Sequence, residues 1–169
     1  SSSMDALSQG TKDGLSLAIN VGAMLLVLIS FVALANILLS NIVIDGQSFS
    51  IEQSLGWCFA PIAWLIGIPW SEAIPAGALL GTKLVLNELV AFIQLAQNSE
   101  LFSPQSRLIL LYALCGFANI GSLGILLGGL SVLVPERKAE YLQIAPRSVI
   151  SGTVVTLVSG AIVALVSRI

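Results

Sequence analysis

The chain is poor in charge and has no histidine. Charged residues fill 9% of its 169 positions, where a soluble domain carries roughly 25%. So few charges cannot cover a water-facing surface, which excludes a soluble globular protein and a disordered one. Seven basic and nine acidic side chains leave a net charge of −2. With no basic run to neutralise phosphates, nucleic acid is not an expected partner. The missing histidine removes the commonest metal ligand and the commonest general base. No metal site, cofactor or catalytic constellation is expected, and the chain does not read as an enzyme. Two cysteines, Cys58 and Cys115, are too few for a disulfide framework or a zinc site. Both lie in apolar stretches and read as small buried hydrophobes.

What is present is apolar: 56% of residues, with a mean hydropathy of +0.98. The expected fold class is an all-α integral membrane protein, with spanning helices, a re-entrant helical hairpin and a broken transmembrane helix. The charges mark its segments. Residues 1–13 are polar, with Asp5, Lys12 and Asp13. They read as an amphipathic or interfacial lead-in, without the basic start, short apolar core and cleavage site of a signal peptide. Residues 14–44 hold no charge. A helix of that length is about 46 Å long, against a hydrocarbon core of roughly 30 Å, so it spans with tilt or extends into the interface. Residues 53–71 are also uncharged but contain Pro61, Pro69, Gly56, Gly67, Trp57, Trp64 and Trp70. Tryptophan concentrates at the membrane interface. Residues 51–70 are therefore read as an interfacial or partly inserted helix in preference to a further full span.

Residues 71–97 are apolar enough to enter the membrane, yet Lys83 and Glu88 interrupt them near the middle, and Pro75, Gly77 and Gly81 weaken a continuous helix. Neither half reaches the roughly 20 residues needed to cross. Two half-length helices around a polar break predict a re-entrant hairpin with residues 82–88 facing protein, since irregular backbone at membrane depth is tolerated only against protein or a watery cavity. Residues 108–135 are uncharged and centre on CGFANIGSLGILLGG, which predicts a spanning helix broken near its middle. Residues 148–167 fit one plain span. The loop at 136–147 holds Arg137, Lys138 and Arg147 and is expected to be cytoplasmic. The start of the chain then shares that side, and the C-terminus and hairpin mouth are external.

Three polar residues stand out. Glu88 at membrane depth costs about 2.5–3.5 kcal/mol on insertion scales. It serves a function, pairs with Lys83 as a lock, or lies wet at the interface. Asn87 and Glu88 would open the hairpin's second helix, where the positive dipole end favours an anion. Asn119 and Ser122 share a face if locally helical. They fit either a midplane substrate site built on a broken helix or ordinary interhelical hydrogen bonding. Gly77 with Gly81, and Gly124 with Gly128, match small-residue packing steps.

GTKLVLNELVAF at 81–92 and YALCGFANIGSLGILLGGL at 112–130 resemble signature stretches of the concentrative nucleoside transporter family. INVGAMLLVLISFVAL at 19–34, LFSPQSR at 101–107 and VPERKAEY at 134–141 fit as well. Nearly the whole chain is similar, and only to the C-terminal part of that family. The resemblance implies half of an inverted-repeat transporter that works as a homotrimer by elevator-like alternating access. It implies a scaffold helix at 14–44, and a transport-domain half at 71–169 made of the hairpin, the broken helix and the last span. The substrate would be a nucleoside, its ribose held by Glu88, Asn119 and Ser122, with Phe117 lining the base. Coupling would be to sodium or a proton, with the ion site mostly outside this segment. Leu89 where the family has phenylalanine, and Gly121 where it often has serine, are departures; the second bears on the sugar pocket. The family's first hairpin has no counterpart here, so the chain is expected to be a fragment carrying about half a binding site, in the inner or plasma membrane. The alternative function is a transport-inactive packing or assembly module.

Overall fold

The computed structural model describes residues 2–41, 43–44 and 47–167. Asp45 and Arg168, two of the charges used to bound apolar stretches, lie outside the described residues. Among the described residues the regular structure is helical apart from one ribbon of two strands with two residues each.

Helix α1 (Ser3–Leu39) runs unbroken. The residues expected as a separate lead-in are its first turns. Once a helix is nucleated, each added residue brings one hydrogen bond, and Gln9 reaches Asp13 while the Thr11 hydroxyl bonds the Leu7 carbonyl. The helix stops short of residue 44. The Ser40 hydroxyl and the Asn41 amide close the carbonyls of Ile37 and Leu38, which have no partner within a helix end. Strands β1 (Val43–Ile44) and β2 (Gln47–Ser48) pair antiparallel and turn the chain into α2 (Ile51–Leu65). Asn36 ties α1 to α2: its oxygen accepts from the Ile51 N–H at 2.9 Å and its amide donates to Glu52 at 2.8 Å.

Helix α3 (Trp70–Val85) follows α2 through a corner that turns the axis by 117°. Gly67 makes the corner with φ +106°, a left-handed conformation that side chains avoid, and a Cβ there would sit 2.7 Å from Ala164. Trp64 and Trp70 meet edge-on across the corner at 6.5 Å. Pro75, Gly77 and Gly81 do not break α3, contrary to the sequence expectation. The glycines serve close approach instead: a Cβ on Gly77 would fall 2.5 Å from the Gly56 carbonyl of α2, and one on Gly81 2.5 Å from Leu55. The break comes only at Leu86–Asn87, after which α4 (Glu88–Gln97) completes the hairpin.

Helix α5 (Pro104–Leu114) and helix α6 (Ile120–Leu133) form the broken helix, interrupted over residues 115–119. The segment expected as a loop at 136–147 is mostly helical. After a short turn at Pro135–Arg137, helix α7 (Lys138–Val166) starts well before residue 148, its first turn carrying the Arg137–Glu140 ion pair. Gly152, Thr156, Gly160 and Ala164 recur every fourth residue along α7 and face Ala118, Gly116, Ala113 and Gly67 in turn. This small-residue seam lets α7 lie close on α5 and the break. The Gly124 and Gly128 pair, by contrast, is exposed. The core is Ala60, Ala63, Leu79, Leu80, Ala91, Leu95, Ile109, Leu110, Ala113 and Leu114 with their neighbours, centred on α3 and α5. Cys58 and Cys115 are exposed, not buried, because each lies on the outward side of its element. Among the described residues, α1 and the run Pro135–Val166 are each long and apolar enough to cross a membrane, and the bent α2–α3 pair passes the same test together. The protein is an all-α integral membrane protein.

Candidate functional site

The hairpin tip and the helix break meet, and both are built by the same device. Asn87 is extended (φ −168°, ψ 175°), and its side-chain oxygen accepts from the Val90 N–H at 2.9 Å, capping α4. Asn119 is likewise extended (φ −148°, ψ 170°) and accepts from the Ser122 N–H at 2.7 Å, capping α6. The Ser122 hydroxyl accepts the Asn119 N–H in return and donates to the Phe117 carbonyl, so a full capping box closes the N-terminus of α6. Each cap satisfies a backbone donor that a helix end leaves orphaned.

The two capped N-termini share one carboxylate. Glu88 is the first residue of α4, and its Oε2 accepts from the Asn119 amide at 3.0 Å. The positive ends of both half-helices favour the anion. Asn119 is 3% exposed and uses both halves of its amide, one inside α6 and one on Glu88. Glu88 is half-buried and keeps further acceptor capacity toward a cavity of about 160 Å³. That cavity is walled by Glu88, Asn87, Asn119, Ser122, Gly121 and Phe117, and closed on its far side by Val21 and Leu25 of α1. Gly121 has little room for a side chain, since a Cβ would lie 3.3 Å from the Asn119 oxygen. Glu88, Asn119 and Ser122 thus line one cavity. Phe117 stands at the rim, 78% exposed, and borders a second, larger groove of about 430 Å³ against α7.

Lys83 does not pair with Glu88; among the described residues the only ion pair is Arg137–Glu140. Lys83 is 2% exposed and donates to the Thr156 hydroxyl of α7 at 2.7 Å and to the Ala113 carbonyl of α5 at 3.3 Å. Glu72 bounds the uncharged stretch at 53–71. At the hairpin mouth its carboxylate takes the Ser103 N–H at 3.2 Å, while the Ser103 side chain caps α5. Sequence reasoning missed both roles. The Asn-x-x-Ser spacing at 119–122 was a readable sign of a cap, whereas the Lys83 partners lie 30 and 73 residues away and left no local signal.

Half-length helices whose capped ends converge on a pocket with a few polar side chains are an arrangement that secondary transporters use. Comparison with known proteins agrees. The sequence matches the family described as "Na+ dependent nucleoside transporter C-terminus" over residues 1–164, and the chain belongs to that family. It is 41% identical over 161 residues to an uncharacterized transporter, YutK, of Bacillus subtilis, covering 94% of this chain. It is 39% identical over 169 residues to the nucleoside permease NupC of Helicobacter pylori, covering 96% of this chain. It spans 40% of the length of each of these relatives. Its fold superposes on CNTnw in an inward-facing substrate-bound state with a TM-score of 0.85 at 36% identity, over 96% of this chain and 41% of that one. These relatives and structural neighbours are transporters or permeases, not enzymes.

Proposed function

We propose that this chain is the C-terminal portion of a cation-coupled nucleoside symporter and supplies the ribose-binding half of its substrate site. The observation that carries the reading is the Glu88 carboxylate, held between two capped helix N-termini with acceptor capacity left toward the cavity. Ribose hydroxyls are donors, and a bond to a carboxylate is roughly twice as strong as one between neutral groups. Asn119 and Ser122 add polar edges beside Glu88, and Phe117 offers an apolar face to the base at the rim. The sugar sits where the hairpin meets the broken helix. Moving these two elements together past α1 exposes it to either side of the membrane, in the manner of alternating access. Coupling is to sodium or a proton, and the working assembly is a homotrimer of the complete protein.

Uptake of radiolabelled uridine by cells expressing the full gene tests this. Wild type is expected to show uptake that collapses when the sodium and proton gradients are dissipated. Glu88→Gln removes the charge while keeping one acceptor. Losing a charge-assisted bond worth about 1.5–3 kcal/mol weakens uridine binding about ten- to hundredfold. Wild type without gradient-dependent uptake sinks the transport reading and favours a packing or assembly module.

A further inference from the structure

Among the described residues Lys83 is the one buried charge, and it lies outside the pocket lining. Its amine lies where the hairpin tip, the break and α7 meet, and each of its contacts has a direction. The Thr156 hydroxyl gives its own proton to the Thr153 carbonyl at 2.9 Å, so a lone pair is what it offers Lys83. The Ala113 carbonyl belongs to the last turn of α5, where carbonyls have no partner along the helix and the dipole end is negative. Were the helix to continue, the partner of that carbonyl would be the Phe117 N–H, four residues on. Lys83 takes the place of that N–H. Space enforces the same convergence: a Cβ on Gly116 would fall 2.4 Å from Thr156 and 3.8 Å from the Lys83 amine.

The hairpin tip therefore meets both ends of the broken helix with opposite charge. Lys83 caps the carbonyl end of α5, and Glu88, through Asn119, faces the amide end of α6. We propose that Lys83 is a positioning residue for substrate binding: its ammonium holds residues 115–119 open and so presents Asn119 and Phe117 to the pocket. It does not touch the substrate. The proposal rests on the reading of the pocket as a nucleoside site, and its test separates the two.

The complete protein is assayed for uridine binding and for amide hydrogen exchange across 115–119. Lys83→Met keeps the aliphatic stem and removes the charge. It is expected to weaken uridine binding about tenfold and to change exchange at 115–119 severalfold, with the hairpin mouth unaffected. Lys83→Arg, which keeps a cation at the α5 end, is expected to restore most of the binding; a loss equal to that of the methionine variant overturns a role for charge. A folded Lys83→Met protein with binding within twofold of wild type and unchanged exchange overturns the proposal outright. Should Lys83→Met not fold, Thr156→Val removes a single acceptor at nearly constant shape. It must shift both readouts in the same direction, and no shift in either rejects the idea. If wild type itself does not bind uridine, the nucleoside reading fails, while exchange at 115–119 still decides whether Lys83 holds the break.

Discussion

Glu88 and Asn119 divide the work of the pocket unequally, and the division can be measured. Asn119 both caps α6 and donates to Glu88, whereas Asn87 caps α4 and lines the same cavity. Either asparagine changed to alanine is expected to cost about 1 kcal/mol of stability, the usual worth of an N-cap, read as a lower melting temperature in detergent. Asn119→Ala is expected to weaken uridine binding by about tenfold and more than Asn87→Ala does, because it leaves the carboxylate without its amide donor. Equal binding by the two variants would show that the Asn119–Glu88 bond carries nothing for the ligand. The identity of these residues was legible in the sequence because a carboxylate inside an apolar stretch is costly and rare. The cap at Asn119 was legible only in the Asn-x-x-Ser spacing; the extended backbone that lets its side chain cap was not. The purpose of Lys83 was hidden for another reason: its partners come from α5 and α7, and one of them is a backbone carbonyl that no residue type encodes.

At the scale of the element, the glycines separate into two kinds. Gly77 and Gly56 let α3 and α2 touch backbone to backbone, and a methyl group on Gly77 would reach 2.5 Å from a carbonyl oxygen. Gly77→Ala is expected to destabilise by about 1–3 kcal/mol, the usual cost of overpacking. Gly129→Ala meets no atom within 4 Å and is expected to be neutral or to gain up to about 1 kcal/mol from helix propensity. Thermal unfolding of the two variants side by side checks the contrast, and equal effects would contradict it. Spacing alone does not sort these glycines. Gly77 with Gly81 and Gly124 with Gly128 share the same four-residue step, yet one pair is buried in a helix contact and the other is exposed. Charge boundaries located every apolar stretch but misjudged where helices begin, because α1 and α7 both extend into polar sequence. A helix anchored by an apolar span continues through any residue that can add its hydrogen bond.

At the scale of the whole molecule, the basic cluster in the first turns of α7 carries the expected orientation. Arg137, Lys138 and Arg147 are expected to lie on the cytoplasmic side. A single cysteine at Lys138, in a background lacking Cys58 and Cys115, should resist a membrane-impermeant thiol reagent added outside intact cells; labelling there reverses the topology. Length against bilayer thickness made the spans in α1 and α7 legible, whereas the bent α2–α3 pair, the third candidate among the described residues, includes the segment read as interfacial. The seam of Gly152, Thr156, Gly160 and Ala164 was not legible, since its meaning depends on which helix lies opposite. The short helices also bear on how the chain is made. Helix α4 has 10 residues and α5 has 11, each about 15–17 Å long, half of what a bilayer requires. Neither can be released into lipid as it leaves the ribosome and wait there alone. Both are expected to stay with the insertion machinery until α7, the next long helix after them, arrives to shelter α5 and the break. Insertion of this segment is therefore expected to be committed only when α7 emerges, and nascent chains arrested before that point are expected targets of membrane quality control.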